Sequence, residues 1–134
     1  MDINIGQGFG AIRFRMAKPE VEALLGAADA CSFIEDIDGE SVEVLQYNCP
    51  QVSLFFDCNG GLSSMDIEDA DCTLFGEPVF RCSRQEIVSL MLKHGFSEVE
   101  VDEEAWGETC LSIPAAGLDF YFESDSLVSV SLGQ

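Results

Sequence analysis

The chain reads as α+β. We expect one domain, 1–134, made of two tandem repeats, about 10–70 and 76–134. Each repeat is a helix followed by a three- to four-stranded antiparallel sheet, with the helices on one face. Three observations predict this. First, the stretch from Phe14 to Leu25 returns 66 residues later, from Phe80 to Met91. Phe14 matches Phe80, Arg15 matches Arg81, Lys18 matches Arg84 and Glu20 matches Glu86. The offset persists at Leu45 and Leu111, Val52 and Leu118, Leu54 and Phe120, Phe56 and Phe122. One offset held over that much chain is the signature of a repeated unit. Second, each copy carries a helix start signal. Third, the segments after each helix alternate apolar and polar, the period of a half-buried strand.

In chain order, residues 1–10 are glycine-rich around Phe9 and read as a flexible lead-in. Gly6, Gly8 and Gly10 lack the Lys-Ser/Thr that would complete a phosphate loop. Ala11 to Phe14 is a short strand. Pro19 occupies a first-turn position, and Val21, Leu24, Leu25 and Ala28 follow at helical spacing up to Gly26 and just beyond. Residues 31–35 form an edge strand, and 36–40 a turn. Ser41 to Asn48 is a strand with Leu45 and Tyr47 on one face and Val42, Val44 and Gln46 on the other. Pro50 breaks it. Val52 to Asp57 and Leu62 to Glu68 form a hairpin around Asn59-Gly60-Gly61.

The second copy follows the same order. Val79 to Arg81 is short and extended. Ser83 and Glu86 spell a capping box. Ile87, Leu90, Met91 and His94 share a helix face that Gly95 ends. Strands follow at about 97–101, 108–113, 117–123 and 126–132, with turns near Trp106-Gly107, Pro114 to Gly117 and Ser124-Asp125.

Composition narrows the function. Twenty-five acidic residues against six basic ones give a net charge of −19. That field repels nucleic acid and anionic membranes and attracts cations. No apolar run is long enough to span a bilayer. Met1-Asp2-Ile3-Asn4 lacks the basic and apolar regions of a signal peptide, so a cytoplasmic location is expected. The six cysteines lack zinc-knuckle spacing, and most are expected to be small core residues. His94, the one histidine, reads as a helix C-terminal residue. No catalytic set, metal site or cofactor is expected.

The bases cluster at the helix starts (Arg13, Arg15, Lys18; Arg81, Arg84) with Lys93 on the second helix, and acids dominate the strands. Val52, Leu54, Phe56, Leu118, Phe120 and Phe122 should meet the helices. Ser53, Phe55, Asp57, Asp119, Tyr121 and Glu123 should face solvent or a partner. Phe55, Asp57, Asp119, Tyr121 and Glu123, with Asp66, Glu68 and Trp106, form the expected partner-binding set: aromatic anchors in an acidic rim.

Met16, Glu20, Val21, Leu24, Leu25 and Gly26 form a motif that resembles the helix-plus-sheet unit of the small outer-membrane lipoproteins of the barrel assembly machinery. A tandem pair of such units resembles the secreted β-lactamase inhibitor proteins, whose concave sheet binds a target protein. In character, small, acidic and without a catalytic set, the chain also resembles bacterial immunity proteins. These resemblances imply a stoichiometric inhibitor, an immunity protein whose partner is a cognate basic toxin, possibly a nuclease. The alternatives are a DNA-mimic protein and a small-ligand domain or enzyme with a cleft between the repeats.

Overall fold

The computed structural model describes residues 1–35, 38–103 and 107–133. The elements are β1 (Asp2–Asn4), β2 (Gly8–Phe9), β3 (Ile12–Arg13), α1 (Lys18–Leu25), β4 (Ala30–Glu35), β5 (Ser41–Asn48), β6 (Gln51–Phe56), β7 (Leu62–Ile67) and β8 (Thr73–Leu74). A 3-10 turn at Val79–Arg81 leads into α2 (Arg84–Lys93). Then come β9 (Glu100–Glu103), β10 (Glu108–Ile113), a 3-10 turn at Pro114–Ala116, β11 (Leu118–Glu123) and β12 (Ser126–Gly133). The class is α+β, and among the described residues the strands pair antiparallel except β1 with β8. No helix among the described residues is long and apolar enough to cross a membrane.

Eight strands make one sheet in the order β4-β5-β6-β7-β12-β11-β10-β9. Its seam is the β7–β12 pair, where Ile67 meets Val130 and Asp66 meets Ser131. Strands β5 and β6 pair Leu45 with Leu54 and Tyr47 with Val52; β10 and β11 pair Leu111 with Phe120 and Ile113 with Leu118. The registers of β6–β7 and β11–β12 shift between Phe55 and Phe56 and between Tyr121 and Phe122. The inward set (Leu45, Val52, Leu54, Phe56, Met65, Ile67, Leu111, Leu118, Phe120, Phe122, Val130) forms the core with Val21, Ile87 and Met91 of the helices. Burying such side chains is the main stabilising term, about 1.5–3 kcal/mol each.

The helix ends differ. Ser83 caps α2: its Oγ accepts from the Glu86 N–H at 3.2 Å while Glu86 Oε1 accepts from the Ser83 N–H at 3.0 Å. Ala17 caps α1 with no side-chain acceptor, so only the return bond from its N–H to Glu20 Oε1 (3.3 Å) is made. Gly26 ends α1 with φ 81° and Gly95 follows α2 with φ 91°. On α1 the core stripe is Val21 and Leu25, with Ala28 just past the helix also packed on the core; Leu24 falls beside the stripe and is 48% exposed, against expectation. Tyr47 Oη donates to the Gly26 carbonyl at 2.9 Å and fastens the end of α1 to β5.

Four other expectations need correction. The glycine-rich lead-in is folded: β1, β2, β3 and β8 form a second sheet in the order β3-β2-β1-β8, and Phe9 and Ile3 are buried in the common core. Gly8 makes this possible, since a Cβ at its φ of +153° would lie 2.0 Å from the Ile12 carbonyl oxygen. Val79 to Arg81 coils as a 3-10 turn rather than extending, with the Arg81 N–H bonded to the Pro78 carbonyl at 3.0 Å. The first strand after α2 begins at Glu100, where pairing with β10 starts. The cysteines are free and mostly not core: only Cys72 is buried. Cys31 lies on the edge strand β4, and Cys49 and Cys58 lie in turns, all exposed. The described part of the 36–40 turn is as expected, while Asp36 and Ile37 fall outside the described residues.

Candidate protein-binding face

The register of the large sheet determines what its outward side presents. Reading across the strands, Gln46 pairs with Ser53, Ser53 with Asp66, Asp66 with Ser131, Ser131 with Asp119, Asp119 with Ser112, and Ser112 with Glu100. Directly opposed residues point to the same side of a sheet. A continuous polar rung therefore crosses seven strands with no basic residue in it. The next rung carries Ser129 opposite Tyr121, Tyr121 opposite Cys110, and Cys110 opposite Asp102.

Asp66 and Asp119 thus come together on one rung, separated by the Ser131 strand. Burial raises the pKa of Asp66, a hydrogen bond from Ser131 partly offsets this, and the Glu68 charge adds to it. Tyr121 is 40% exposed beside them. Its phenol is raised by burial first and then by the charges of Asp119, Cys110 and Asp66. Glu68 is held by Gln51, whose Nε2 donates to Oε2 at 3.1 Å. Glu123 stands directly across from Glu108, two like charges in one cross-strand pair. Hollows flank the rung. One of about 210 Å³ is lined by Gln46, Gln51, Asp66 and Glu68. One of about 510 Å³ is lined by Tyr121, Asp102, Glu108, Glu123 and Val128.

Two expected contacts also have local duties. Asp57 folds back on its own hairpin, where Oδ1 accepts from the Asn59 N–H at 3.0 Å and the Gly61 N–H at 3.1 Å. Phe55 is half-buried and stands directly opposite Val44, which is only 4% exposed, so the ring shields a neighbour more than it projects. Trp106 lies outside the described residues. Ser53 was expected on this outward face; Ser112, Ser131, Gln46 and Glu100 were not singled out from sequence. The signal that would have found them is cross-strand register, because small polar residues carry no weight in a hydrophobic pattern.

Two of the bases, Lys18 and Arg84, are engaged away from this rung. Lys18 Nζ bonds Glu43 Oε2 at 3.0 Å, and that bond raises the lysine pKa. Arg84 pairs with Glu103 at 3.2 Å and Asp125 at 3.4 Å. His94 stacks on Phe75 with ring centroids 3.7 Å apart. Among the described residues no group of three or more His, Cys, Asp or Glu side chains is placed to hold a metal ion. Compared with protein-family models, characterised proteins and solved structures, the chain matches none.

Proposed function

We propose that this chain is an acidic stoichiometric protein inhibitor, an immunity protein that neutralises a cationic bacterial toxin in the cytoplasm. The observation that carries the reading is the base-free polar rung through Asp66 and Asp119. A surface of that sign on a chain of net charge −19 speeds encounter with a basic partner and disfavours acidic ones. Tyr121, on the adjacent rung, supplies an aromatic anchor, with Glu68 and Glu123 as rim. Phe55, Asp57 and Trp106 complete the proposed contact set.

A finer architecture accompanies this reading: two tandem helix-plus-sheet units joined edge to edge, with both helices on the side away from the rung. The strand order supports it, since β4-β5-β6-β7 is mirrored by β12-β11-β10-β9. So do the registers. Leu45–Leu54 and Leu111–Phe120 are the same pair 66 residues apart, and both register shifts fall at equivalent positions. The helix anchors agree as well. Lys18 reaches Glu43, and Arg84, its counterpart, reaches Thr109, the counterpart of Glu43, at 3.4 Å.

The experiment is to isolate a cationic protein that binds one to one and is toxic when expressed without this chain. Its affinity is then measured for Asp66→Asn/Asp119→Asn/Glu123→Gln and for a control triple in loop acids, Asp71→Asn/Glu77→Gln/Glu98→Gln. The reading expects the first triple to lose binding and protection while the second keeps both. Equal loss in both would reduce the effect to net charge and sink the site. Competition with DNA for many unrelated DNA-binding proteins would favour the DNA-mimic alternative.

A further inference from the structure

The chain has three asparagines, Asn4, Asn48 and Asn59, followed by Ile5, Cys49 and Gly60. Asn59 alone precedes a glycine, and it lies exposed at the tip of the β6–β7 hairpin. An asparagine loses its amide when the next backbone nitrogen attacks the side-chain carbonyl carbon. A side chain on that next residue obstructs the approach. Gly60 has none, and nothing lies within 4 Å of where its Cβ would stand.

The same turn holds the attacking nitrogen back. The Gly60 N–H donates to the Asp57 carbonyl at 2.9 Å. Asp57 Oδ1 accepts from the N–H groups on either side of it, Asn59 at 3.0 Å and Gly61 at 3.1 Å. Swinging Gly60 N onto Asn59 Cγ rotates the peptide between them and breaks the first bond. The other two hold the chain on both sides of that peptide and resist the rotation.

We propose that Asn59 is a site of spontaneous deamidation and that Asp57 is the brake that sets its rate. Gly60 N gives up its proton to hydroxide and bonds to Asn59 Cγ. The Cγ–Nδ2 bond breaks, and Nδ2 takes a proton from water and leaves as ammonia. Water then adds to one of the two carbonyls of the cyclic imide and reopens it. Opening at the side-chain carbonyl gives an aspartate. Opening at the main-chain carbonyl gives an isoaspartate, whose backbone is longer by a methylene. Nothing is oxidised or reduced, and a further negative charge remains. Water and hydroxide are the only co-reactants, so the site is independent of the partner proposed above. The change reaches beyond the turn. Gly61 bridges to Ala17, the Arg15 N–H donates to the Leu62 carbonyl at 2.8 Å, and the Leu62 N–H donates to the Met16 carbonyl at 2.9 Å. The hairpin tip is thus bonded to the chain entering α1, and a longer backbone at position 59 loosens both.

The test is incubation of the full chain at neutral and mildly alkaline pH, below its melting temperature, followed by intact mass and peptide mapping. Loss of the Asn59 amide is expected, faster at higher pH because Gly60 N must lose its proton, while Asn4 and Asn48 stay intact. Asp57→Ala should speed the loss about tenfold, since opening the turn then breaks fewer hydrogen bonds. Asp57→Asn keeps an acceptor oxygen and should change the rate by less than about threefold. Hydrogen exchange at Arg15 and Leu62 should be faster in the converted chain than in the parent. Should Asp57→Ala fail to fold, the parent unfolded in urea replaces it and should convert at least about tenfold faster than the native parent. An Asn59 that keeps its amide in Asp57→Ala and in the unfolded chain overturns the site, as does earlier loss at Asn4 or Asn48. Equal rates in the native parent and in the released chain overturn the brake. Conversion that leaves exchange at Arg15 and Leu62 unchanged overturns the link to α1.

Discussion

Asp66 stands directly opposite Ser131 where β7 meets β12, and the hydroxyl of Ser131 donates to its carboxylate. This is the seam of the large sheet and the middle of its polar rung. Burial nonetheless outweighs the hydrogen bond and holds the Asp66 pKa above its ordinary 3.8. Ionising Asp66 is therefore harder in the fold than in the unfolded chain. Its charge weakens the fold above the raised pKa, and the penalty is relieved as pH falls from there toward the ordinary value.

The first prediction follows from that sign. Asp66→Asn keeps an acceptor for Ser131 and removes the buried charge. Thermal melts should show the variant more stable than the parent at neutral pH, with the gap closing as pH falls through the raised pKa. A constant gap across the acid range would show that ionisation of Asp66 is not its source. A cationic partner seated on the rung should lower the same pKa, so binding in mildly acidic buffer releases a proton from the parent but not from Asp66→Asn. Calorimetry in buffers of different ionisation enthalpy reads that proton directly.

The two helix starts give a matched pair. Ser83→Ala removes the bond from the Glu86 N–H and should destabilise by about 1 kcal/mol. Ala17→Ser supplies the acceptor that α1 lacks and should stabilise by about 0.5–1 kcal/mol. Urea unfolding midpoints at constant slope check both. If Ala17→Ser leaves the midpoint unchanged, its hydroxyl does not reach the Glu20 N–H.

Phe120 and Tyr121 are neighbours with opposite duties. Phe120 is fully buried between strands in the core, and Phe120→Ala should destabilise by about 3–5 kcal/mol. Tyr121 faces outward across from Ser129 and Cys110. Tyr121→Ala should change stability far less and weaken partner binding far more. Parallel unfolding and binding titrations separate the two. A Tyr121→Ala protein that binds normally removes the central anchor from the proposed face.

These cases show what sequence could and could not reveal. Ser83 and Glu86 announced their cap because the motif is local. The strands from Ser41 to Asn48 and from Glu108 to Ile113 were legible because one face must be apolar. The N-terminal sheet was not, because its strands are two or three residues long and β1 draws its parallel partner from Thr73–Leu74, far along the chain. The rung was not legible as a whole because Ser112 and Ser131 acquire meaning only through register, although alternation did place Ser53 outward. The local roles of Asp57 and Phe55 likewise depend on hairpin geometry and on what stands opposite, neither of which alternation alone supplies.

The folded N-terminal sheet makes the last prediction. Gly8 sits in β2 with Ile12 O where a Cβ would lie, and the obstacle is backbone rather than a movable side chain. Gly8→Ala must therefore displace β2 or β3, and should destabilise by about 1–3 kcal/mol. Gly6→Ala meets nothing within 4 Å and carries only the strain of its positive φ, so its effect should be smaller. Cysteine reactivity gives an independent readout. Cys72 is buried under β1, next to Thr73, whose N–H bonds the Met1 carbonyl at 3.0 Å, and burial pushes its thiol up to about 12. In the native parent Cys72 should resist a thiol reagent that labels Cys31, Cys49 and Cys58. In Gly8→Ala its labelling should accelerate before global unfolding, because loosening β1 and β2 uncovers it. If Gly8→Ala neither loses stability nor exposes Cys72, the N-terminal strands do not seal this part of the core.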